Sequence, residues 1–231
     1  MKAKILVLAL LVVANLSAGT HQSAGDLVSV EPFEQLIVVG DGQTSVSLCQ
    51  SDKYAISVTE GHLSDLKIEQ AESTLMLFCN VGGKPENVHV TIYAPEWNDV
   101  LCSIVKTLQT TNTIKAKRLQ IDANIVQSVD MNIESEQFEI KTTDVEKCVL
   151  GGTCDRAMID YVGTTNGLAE LHSEKLRTRF LHLKSVIESK AFVYASDSLW
   201  LQDCYTSDIT VYGSPEDVKN ESRSSTIRLV P

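Results

Sequence analysis

Residues 118–152 read RLQIDANIVQSVDMNIESEQFEIKTTDVEKCVLGG, and this stretch decides the fold. It contains no proline, and its only glycines are the last two residues, Gly151 and Gly152. Apolar and polar residues alternate in LQIDANIV and FEIKTTDV, which is typical of strands that bury one face. No Asn-Gly or Asp-Gly pair marks a hairpin turn between them. The chain must therefore connect its strands in another way.

An internal repeat explains the missing hairpins. One column of the repeat, with a step of 19 residues, contains Leu119, Phe138, Ala157 and Leu176. A second column, two positions later, contains Ile121, Ile140, Ile159 and Thr178. The motif returns at Leu199 and Leu201, 23 residues after the last members of the two columns. Repeats of this length indicate a solenoid, in which the chain turns at small polar residues within each coil.

The repeat predicts an all-β fold, a single-stranded parallel β-helix. One unit cannot bury its apolar face alone, whereas units stacked about 4.8 Å apart form a continuous core. Rungs of 19 residues are assigned to residues 96–218. An antiparallel sandwich with coincidental spacing is the alternative. A helix is a further alternative for residues 167–180, GLAELHSEKLRTRF, where leucines approach helical spacing.

Residues 26–95 have a different pattern and are predicted to form an antiparallel β-meander that caps the solenoid. Turn signals such as GDGQ and GGKPEN separate predicted strands at residues 36–39, 46–49, 54–58, 66–69, 75–79 and 88–93. A solenoid needs such an atypical terminal unit to cover its open core. Cap and rungs are predicted to form one continuous domain. A polar C-terminal tail follows at residues 219–231, within which residues 227–230 are predicted as a last strand.

Composition limits the classes of function. The chain has 231 residues, of which 43% are hydrophobic and 22% are charged, and its formal net charge is −10. This balance is typical of a globular domain that buries a core. The negative charge argues against nucleic acid and anionic membrane surfaces as partners, because both attract basic proteins.

Residues 1–19, MKAKILVLALLVVANLSAG, predict a secretory signal peptide. Lys2 and Lys4 precede an apolar run, and small residues follow it. The run is short for a membrane span and no second long run occurs, so the mature chain is expected to be soluble, without a transmembrane segment. An uncleaved anchor is the alternative. The protein is therefore predicted to be exported, to an extracellular, periplasmic or cell-surface location.

Six cysteines follow the predicted signal peptide. An even number of cysteines in an exported chain permits disulfides. The preferred pairs are Cys49 with Cys79, and Cys148 with Cys154. The alternative is that several of these cysteines are buried free thiols that pack as small hydrophobes.

No catalytic motif is found, so no catalytic, cofactor-binding or metal-binding residue is assigned and no cofactor is predicted. A polysaccharide-active enzyme would need paired carboxylates, for which the candidates are Asp122, Asp144, Asp160, Asp203 and Asp208. The simpler interpretation is that these are solvent-facing charges that resist pairing between strand edges. Calcium binding at Asp41 or within residues 196–203, SDSLWLQD, is left open.

Two further surface features are predicted. Asn220 begins an Asn-Glu-Ser sequon, so it is a glycosylation candidate if the source is eukaryotic. Trp97 and Trp200 are expected to be buried at the ends of the solenoid, and exposure for stacking on sugars is the alternative.

Several phrases of the chain resemble a known family. EPFEQLIVVGDGQTSVSL, YAISVTEGHLSDLKIEQAESTLML, NVHVTIYAPEWNDV and DSLWLQDCYTSDITVYGSPEDV are similar to the opening, the middle strands and the close of the auto-transporter adhesin, head GIN domain family. The resemblance covers residues 28–218. One departure is that rungs of the family usually carry Gly-Ser-Gly at a turn, and this chain has none. The resemblance implies a right-handed β-helix that is exported and acts in surface adhesion.

Together, these features predict an exported, non-enzymatic β-helix that binds a surface glycan or protein ligand. A solenoid presents long faces built from repeating positions, which suit extended partners. A carbohydrate-active β-helix enzyme, with a site among Asp203 and Asp208, and a purely structural envelope component are the alternatives.

Overall fold

The computed structural model describes residues 27–80, 87–164 and 169–230. The predicted signal peptide lies outside these residues. The described residues form one 3-10 turn, Leu63–Asp65, and fifteen strands: β1 (Leu27–Ser29), β2 (Gln35–Val39), β3 (Thr44–Gln50), β4 (Ala55–Glu60), β5 (Leu66–Ala71), β6 (Thr74–Cys79), β7 (Val88–Ala94), β8 (Asp99–Thr110), β9 (Ile114–Gly163), β10 (Ala169–Ile187), β11 (Ser189–Tyr194), β12 (Ser198–Tyr205), β13 (Asp208–Tyr212), β14 (Asp217–Asn220) and β15 (Thr226–Val230).

The strands stack as a β-solenoid of about six turns, which confirms the predicted parallel β-helix. Strands β8, β9 and β10 pair in parallel in that order, and β10 continues to β11 and β12. A continuous strand such as β9 runs through more than two rungs and bends at corners instead of folding back as hairpins. The antiparallel sandwich is therefore excluded. The segment with a helical alternative lies within or just before β10, and its described part is strand.

The core consists of columns of apolar side chains that point into the solenoid. Val100 pairs with Ile121 across β8 and β9, and Ile159, Leu183 and Leu201 form a similar column across β9, β10 and β12. All five side chains are almost fully buried, with relative exposures of 0–2%. Because the side-chain period of a strand is two, the residues between these positions point outward.

The predicted register is wrong after Ala157. Ala157 pairs with Leu181 and not with Leu176, so this rung is longer than the predicted period. Leu181 then pairs with Leu199, so the next rung is shorter again. Bulges between His172 and Lys175, and between Leu183 and Ser185, also shift the register in β10. Leu176 and Leu181 both fit the alternation of apolar and polar residues. The periodicity alone therefore could not decide which of them pairs with Ala157.

The N-terminal section contains all six predicted strands, each within two residues of its predicted ends. Antiparallel pairs are present between β1 and β4, β4 and β7, and β5 and β6. However, β2 and β3 pair in parallel with β8, so they belong to the first rungs of the solenoid. The antiparallel part of the cap is therefore confined to the pairs that involve β1, β4 and β5. Strands β2 and β3 are parallel because they pair directly with the first long strand of the solenoid, β8.

The predicted polar tail is partly ordered as strand. Strand β15 pairs in parallel with β13, which confirms a last strand at residues 227–230. Strand β14 pairs in parallel with β12 and reaches Asn220.

The six cysteines are free thiols in the structure, so neither predicted disulfide is present. The thiol of Cys79 lies beside Thr44, at the opposite end of β3 from Cys49. Cys148 and Cys154 both lie in β9, on either side of the turn at Gly152, and neither is bonded to the other. Burial raises the pKa of Cys79 and Cys204 to about 11. The buried thiols pack as small apolar side chains.

Candidate functional site

One corner of the solenoid repeats an unusual backbone conformation. Non-glycine residues occupy the left-handed region, with φ between 50° and 58°, at Ile104, Ile125, Asp144, Glu188, Thr206 and Ser224. Pairing of the flanking residues stacks Ile104 beside Ile125, and Glu188 beside Thr206 and Ser224. We call these six residues the corner column. On these rungs it replaces the glycine turns expected from the family resemblance, whereas Gly163 lies beside Glu188 on the rung before it.

Serine follows the left-handed residue in the last three rungs. Ser189, Ser207 and Ser225, here called the serine ladder, lie inside the corner. The hydroxyl of Ser207 donates to the carbonyl oxygens of Val186 (2.9 Å) and Tyr205 (3.0 Å). The backbone N–H of Ser189 donates to the Ser207 hydroxyl at 3.3 Å, and that of Ser207 donates to the Ser225 hydroxyl at 3.4 Å. The ladder therefore satisfies backbone groups that a sharp corner leaves without strand partners.

A cavity of about 470 Å³ opens along this corner. We call it the corner groove. One wall is formed by the corner-column residues Glu188, Thr206 and Ser224, and the other by Glu170, Lys190, Asp208 and Thr226. The serine ladder contributes Ser189 and Ser207 to its floor. The groove therefore crosses several successive rungs, parallel to the axis of the solenoid.

Most polar side chains of the groove are free. Within the described residues, no hydrogen bond or close ion pair is made by the side chains of Glu188, Lys190, Thr206, Asp208, Ser224 and Thr226. They offer carboxylate acceptors, hydroxyl donors and acceptors, and one ammonium donor. Such a set can hydrogen-bond a ligand that carries many hydroxyl or amino groups.

Charges alternate along one wall of the groove. In register, Lys147 lies beside Glu170, Glu170 beside Lys190, and Lys190 beside Asp208. The pKa of Glu170 is lowered, mainly because His172 hydrogen-bonds its carboxylate at 3.1 Å, and the charges of His172, Lys190 and Lys147 add to this. Because opposite charges alternate, like charges on adjacent rungs do not repel each other. The wall therefore favours ligands without a strong net charge.

Neither tryptophan offers an open ring face for a sugar to stack on. Trp97 is 2% exposed, as predicted, whereas Trp200 is half-buried on the outer face. His182 stacks on Trp200 with centroids 4.0 Å apart and planes at 4°, and the ammonium of Lys219 lies 4.3 Å from the Trp200 ring centroid. The indole thus has neighbours stacked along the solenoid axis, which leaves little room for a sugar to stack on it.

The structure does not bring the predicted carboxylates into one cavity. Asp208 lines the corner groove, but Asp203 does not, and its carboxylate accepts a hydrogen bond from Gln202 at 3.1 Å. Asp144 belongs to the corner column outside the groove. The remaining candidates lie elsewhere in β9, where Asp160 pairs with Lys184 at 3.5 Å and Asp122 lies beside Leu101 of β8. These aspartates are therefore distributed over separate columns of the solenoid.

No metal centre is found in the described part of the chain. Within residues 27–80, 87–164 and 169–230, no three His, Cys, Asp or Glu side chains are arranged to hold a metal ion. The Asp41 carboxylate accepts hydrogen bonds from the Gln43 backbone (2.9 Å) and from Asn80 (2.6 Å). Asn220 is exposed on β14, and its side-chain oxygen accepts a hydrogen bond from the Ser222 backbone at 2.9 Å. Glycosylation of Asn220 stays a prediction.

Sequence reasoning missed the corner groove, although a signal for it is present. Glu188-Ser189, Thr206-Ser207 and Ser224-Ser225 recur at a constant step along the chain. In these three rungs, the serine that follows the left-handed residue recurs at constant spacing, and this recurrence indicates the position of the corner where glycine is absent.

Comparison with known proteins identifies the family. Residues 32–215 match the family described as "Putative auto-transporter adhesin, head GIN domain". The match covers most of the chain, and the chain therefore belongs to this family. No curated protein sequence matches the chain.

Solved structures share the fold. A "putative adhesin" from Bacteroides fragilis is 19% identical, with a TM-score of 0.75 over 89% of this chain and 95% of that chain. A "putative lipid binding protein" from Parabacteroides distasonis is 15% identical, with a TM-score of 0.63 over 89% of this chain and 96% of that chain. A "putative adhesin" from the same species is 16% identical, with a TM-score of 0.60 over 90% and 96% of the two chains.

None of the described segments contains a helix with the length and hydropathy of a membrane span. The family and the fold place the chain among adhesin-like β-solenoids.

Proposed function

We propose that the protein is exported by its N-terminal signal sequence and acts as a non-enzymatic, ligand-binding adhesin. The corner groove binds an extended surface glycan through hydrogen bonds. The observation that carries this proposal is the row of free carboxylate, hydroxyl and ammonium groups on the two walls of a cavity of about 470 Å³.

The geometry of the groove supports a chain-like ligand. Equivalent positions such as Thr206 and Ser224 recur on adjacent rungs, which are about 4.8 Å apart. This repeat is close to the spacing of successive sugar units in an extended polysaccharide. Each rung can therefore offer two polar side chains to one unit of the ligand, namely Glu188 and Lys190, Thr206 and Asp208, or Ser224 and Thr226.

The polar lining decides between ligand classes. Carboxylates such as Glu188 and Asp208 accept hydrogen bonds from sugar hydroxyls and amines, and Lys190 donates to ring and glycosidic oxygens. An acyl chain would leave these groups desolvated without partners. The lipid binding named for one solved relative is therefore not proposed for this groove.

The enzyme alternative has less support. A glycosidase places its two carboxyl groups about 5–10 Å apart across the scissile bond. Asp203 and Asp208 do not share a cavity, since only Asp208 lines the groove.

Binding arrays test the proposal. Protein purified after expression of the full chain is applied to glycans, matrix proteins and lipid vesicles, and hits are measured as saturable binding. We expect a glycan hit that Glu188→Gln combined with Asp208→Asn weakens by about tenfold or more, because each lost charge-assisted hydrogen bond contributes roughly 1.5–3 kcal/mol.

Asp144→Asn is the matched control, because Asp144 has the same left-handed backbone but lies outside the groove. It should leave binding unchanged. Binding confined to vesicles or matrix proteins, or equal loss with Asp144→Asn, would overturn the proposal. Turnover of a polysaccharide that the groove variants abolish would favour the enzyme.

A further inference from the structure

We infer that the C-terminal end of the solenoid is a self-association surface, on which a second copy of this chain docks end to end. The contact is symmetric and is centred on β14, which pairs antiparallel with β14 of the other copy. This inference does not depend on the proposed function of the corner groove.

Apolar core columns reach the surface at this end. Val218 is 42% exposed and Leu229 is 54% exposed, whereas Leu199 and Val211, one rung below them, are fully buried. Ile227 is only partly buried against the core. The last rung therefore presents core side chains that nothing covers within the described residues.

The same end carries two open strand edges. Strand β14 pairs only with β12 and β15 only with β13, so each has one edge without a partner in the described part of the chain. All four residues of β14 are exposed. An open edge beside exposed core side chains favours pairing with another strand.

Strands β1 and β5 at the N-terminal end also pair on one edge only in the described part of the chain, but the core at that end is covered. There, β5 covers β6 in antiparallel pairing, with Leu66 only 8% exposed, and the first four residues of β4 are buried against β7. The exposed core side chains at the C-terminal end of one copy are therefore expected to pack against the same side chains at the C-terminal end of another copy. Such a contact is isologous and closes as a dimer.

Charge favours a second copy as the partner on β14. Antiparallel pairing of two copies of β14 about Val218 places Asp217 directly opposite Lys219 of the other copy, twice. Asp217 has no ion pair within the described residues, and the Lys219 ammonium lies near Trp200 and 3.0 Å from Glu221. Self-pairing of β15 about its central residue would instead oppose two copies of Arg228. The charges thus select β14 as the centre of the contact.

Sedimentation equilibrium on the purified full chain over a concentration series tests this inference. We expect a monomer–dimer equilibrium that Leu229→Asp weakens by about a hundredfold or more, because the lost apolar burial occurs in both copies. Leu27→Asp is the matched control, since Leu27 is 46% exposed at the other end of the molecule. It should leave the equilibrium unchanged.

A charge exchange tests the register. Asp217→Lys alone should weaken the dimer, because it opposes two ammonium groups, and Asp217→Lys combined with Lys219→Asp should restore it. Circular dichroism checks that each variant keeps its strand content. A wild-type protein that stays monomeric throughout, an equal effect of Leu27→Asp, or no effect of Asp217→Lys would overturn the inference.

Discussion

The corner column has two halves with the same backbone and opposite chemistry. In the N-terminal half, Ile104 and Ile125 are followed by Val105 and Val126, each 1% exposed. In the C-terminal half, Glu188, Thr206 and Ser224 are followed by the serine ladder. The φ angles of these five residues of the corner column nevertheless agree within a few degrees, from 50° to 56°.

This difference separates two roles of the corner. The backbone conformation builds the turn and is repeated along the solenoid, whereas the side chains determine whether the corner is an apolar ridge or a polar groove. Ile104 and Ile125, like Thr206 in the polar half, are strained choices, because a β-branched residue in the left-handed region is a genuine outlier. The groove thus arises from a change of side chains at a corner whose backbone conformation stays the same.

The largest expected effect comes from a turn where a side chain has no room. Gly152 has φ 103°, and a Cβ there would overlap the backbone carbonyl group of Ile133. We expect Gly152→Ala to lower the free energy of unfolding by about 3 kcal/mol or more, or to prevent folding, because backbone must move. Urea denaturation followed by circular dichroism measures this.

Gly42 supplies the control, with φ 86° and no atom within 4 Å of the position that a Cβ would take. Gly42→Ala should lower the free energy of unfolding by only about 1–2 kcal/mol, which is the strain of the left-handed conformation alone. Equal losses for the two variants would mean that backbone strain, and not space, decides which turns require glycine.

Exchanging the residues that follow the left-handed positions, serine in the polar half and valine in the apolar half, tests whether the two halves are interchangeable. Ser207→Val removes two hydroxyl hydrogen bonds to Val186 and Tyr205 and the acceptor for the Ser189 backbone. We expect a loss of about 1–3 kcal/mol in the free energy of unfolding, because the buried carbonyl and N–H groups lose their partner.

The reciprocal change, Val126→Ser, should lower the free energy of unfolding by a similar amount, about 1–3 kcal/mol, through lost apolar burial. Both are measured by urea denaturation. If Ser207→Val stabilised the protein, the serine ladder would not be needed to satisfy the corner, and the two halves would be interchangeable.

Relieving strain in the apolar half should have a smaller effect, with the opposite sign. Ile125 has φ 56° and is 51% exposed, so its side chain contributes little burial. Ile125→Asn should raise the free energy of unfolding by about 1 kcal/mol, because asparagine tolerates the left-handed region. Asp144→Asn, at φ 58°, should be nearly neutral. If Ile125→Asn lowered the free energy of unfolding, the packing of the Ile125 side chain would contribute more stability than its backbone strain costs.

Much of the fold could be predicted from alternation and repetition. The period of two located the six N-terminal strands, and the columns at Leu119 and Ile121 indicated parallel stacking. The slip after Ala157 could not be foreseen, because Leu176 and Leu181 both satisfy an alternating pattern.

The groove could not be predicted in the same way. Glu188, Thr206 and Ser224 resemble ordinary surface residues, and their alignment depends on short rungs that follow one long rung. Ile104 and Ile125 break the local preference for glycine or asparagine at a left-handed turn. The serine that follows Glu188, Thr206 and Ser224 at a constant step is the sequence signal of this corner, and the stacking of the rungs shows that these residues share one column.

The smallest expected effect concerns the pH dependence of the groove wall that faces the polar half, where Glu170 lies. Folding lowers the pKa of Glu170, chiefly through its hydrogen bond with His172, so the ionised carboxylate stabilises the fold at neutral pH. This stabilisation is complete above the ordinary glutamate pKa and is lost as the pH falls through the lowered pKa of the folded state. Because the Glu170 side chain is 44% exposed, the effect should be less than about 0.5 kcal/mol.

His172→Leu should flatten this part of the pH profile of the free energy of unfolding, measured by urea denaturation at successive pH values. Glu170→Gln should flatten it equally, and the double variant should add nothing, because both changes remove one interaction. The apolar half of the corner column offers no equivalent pair among its described residues. A profile that Glu170→Gln flattens but His172→Leu leaves unchanged would show that Glu170 is held by the alternating lysines of its column instead of by His172.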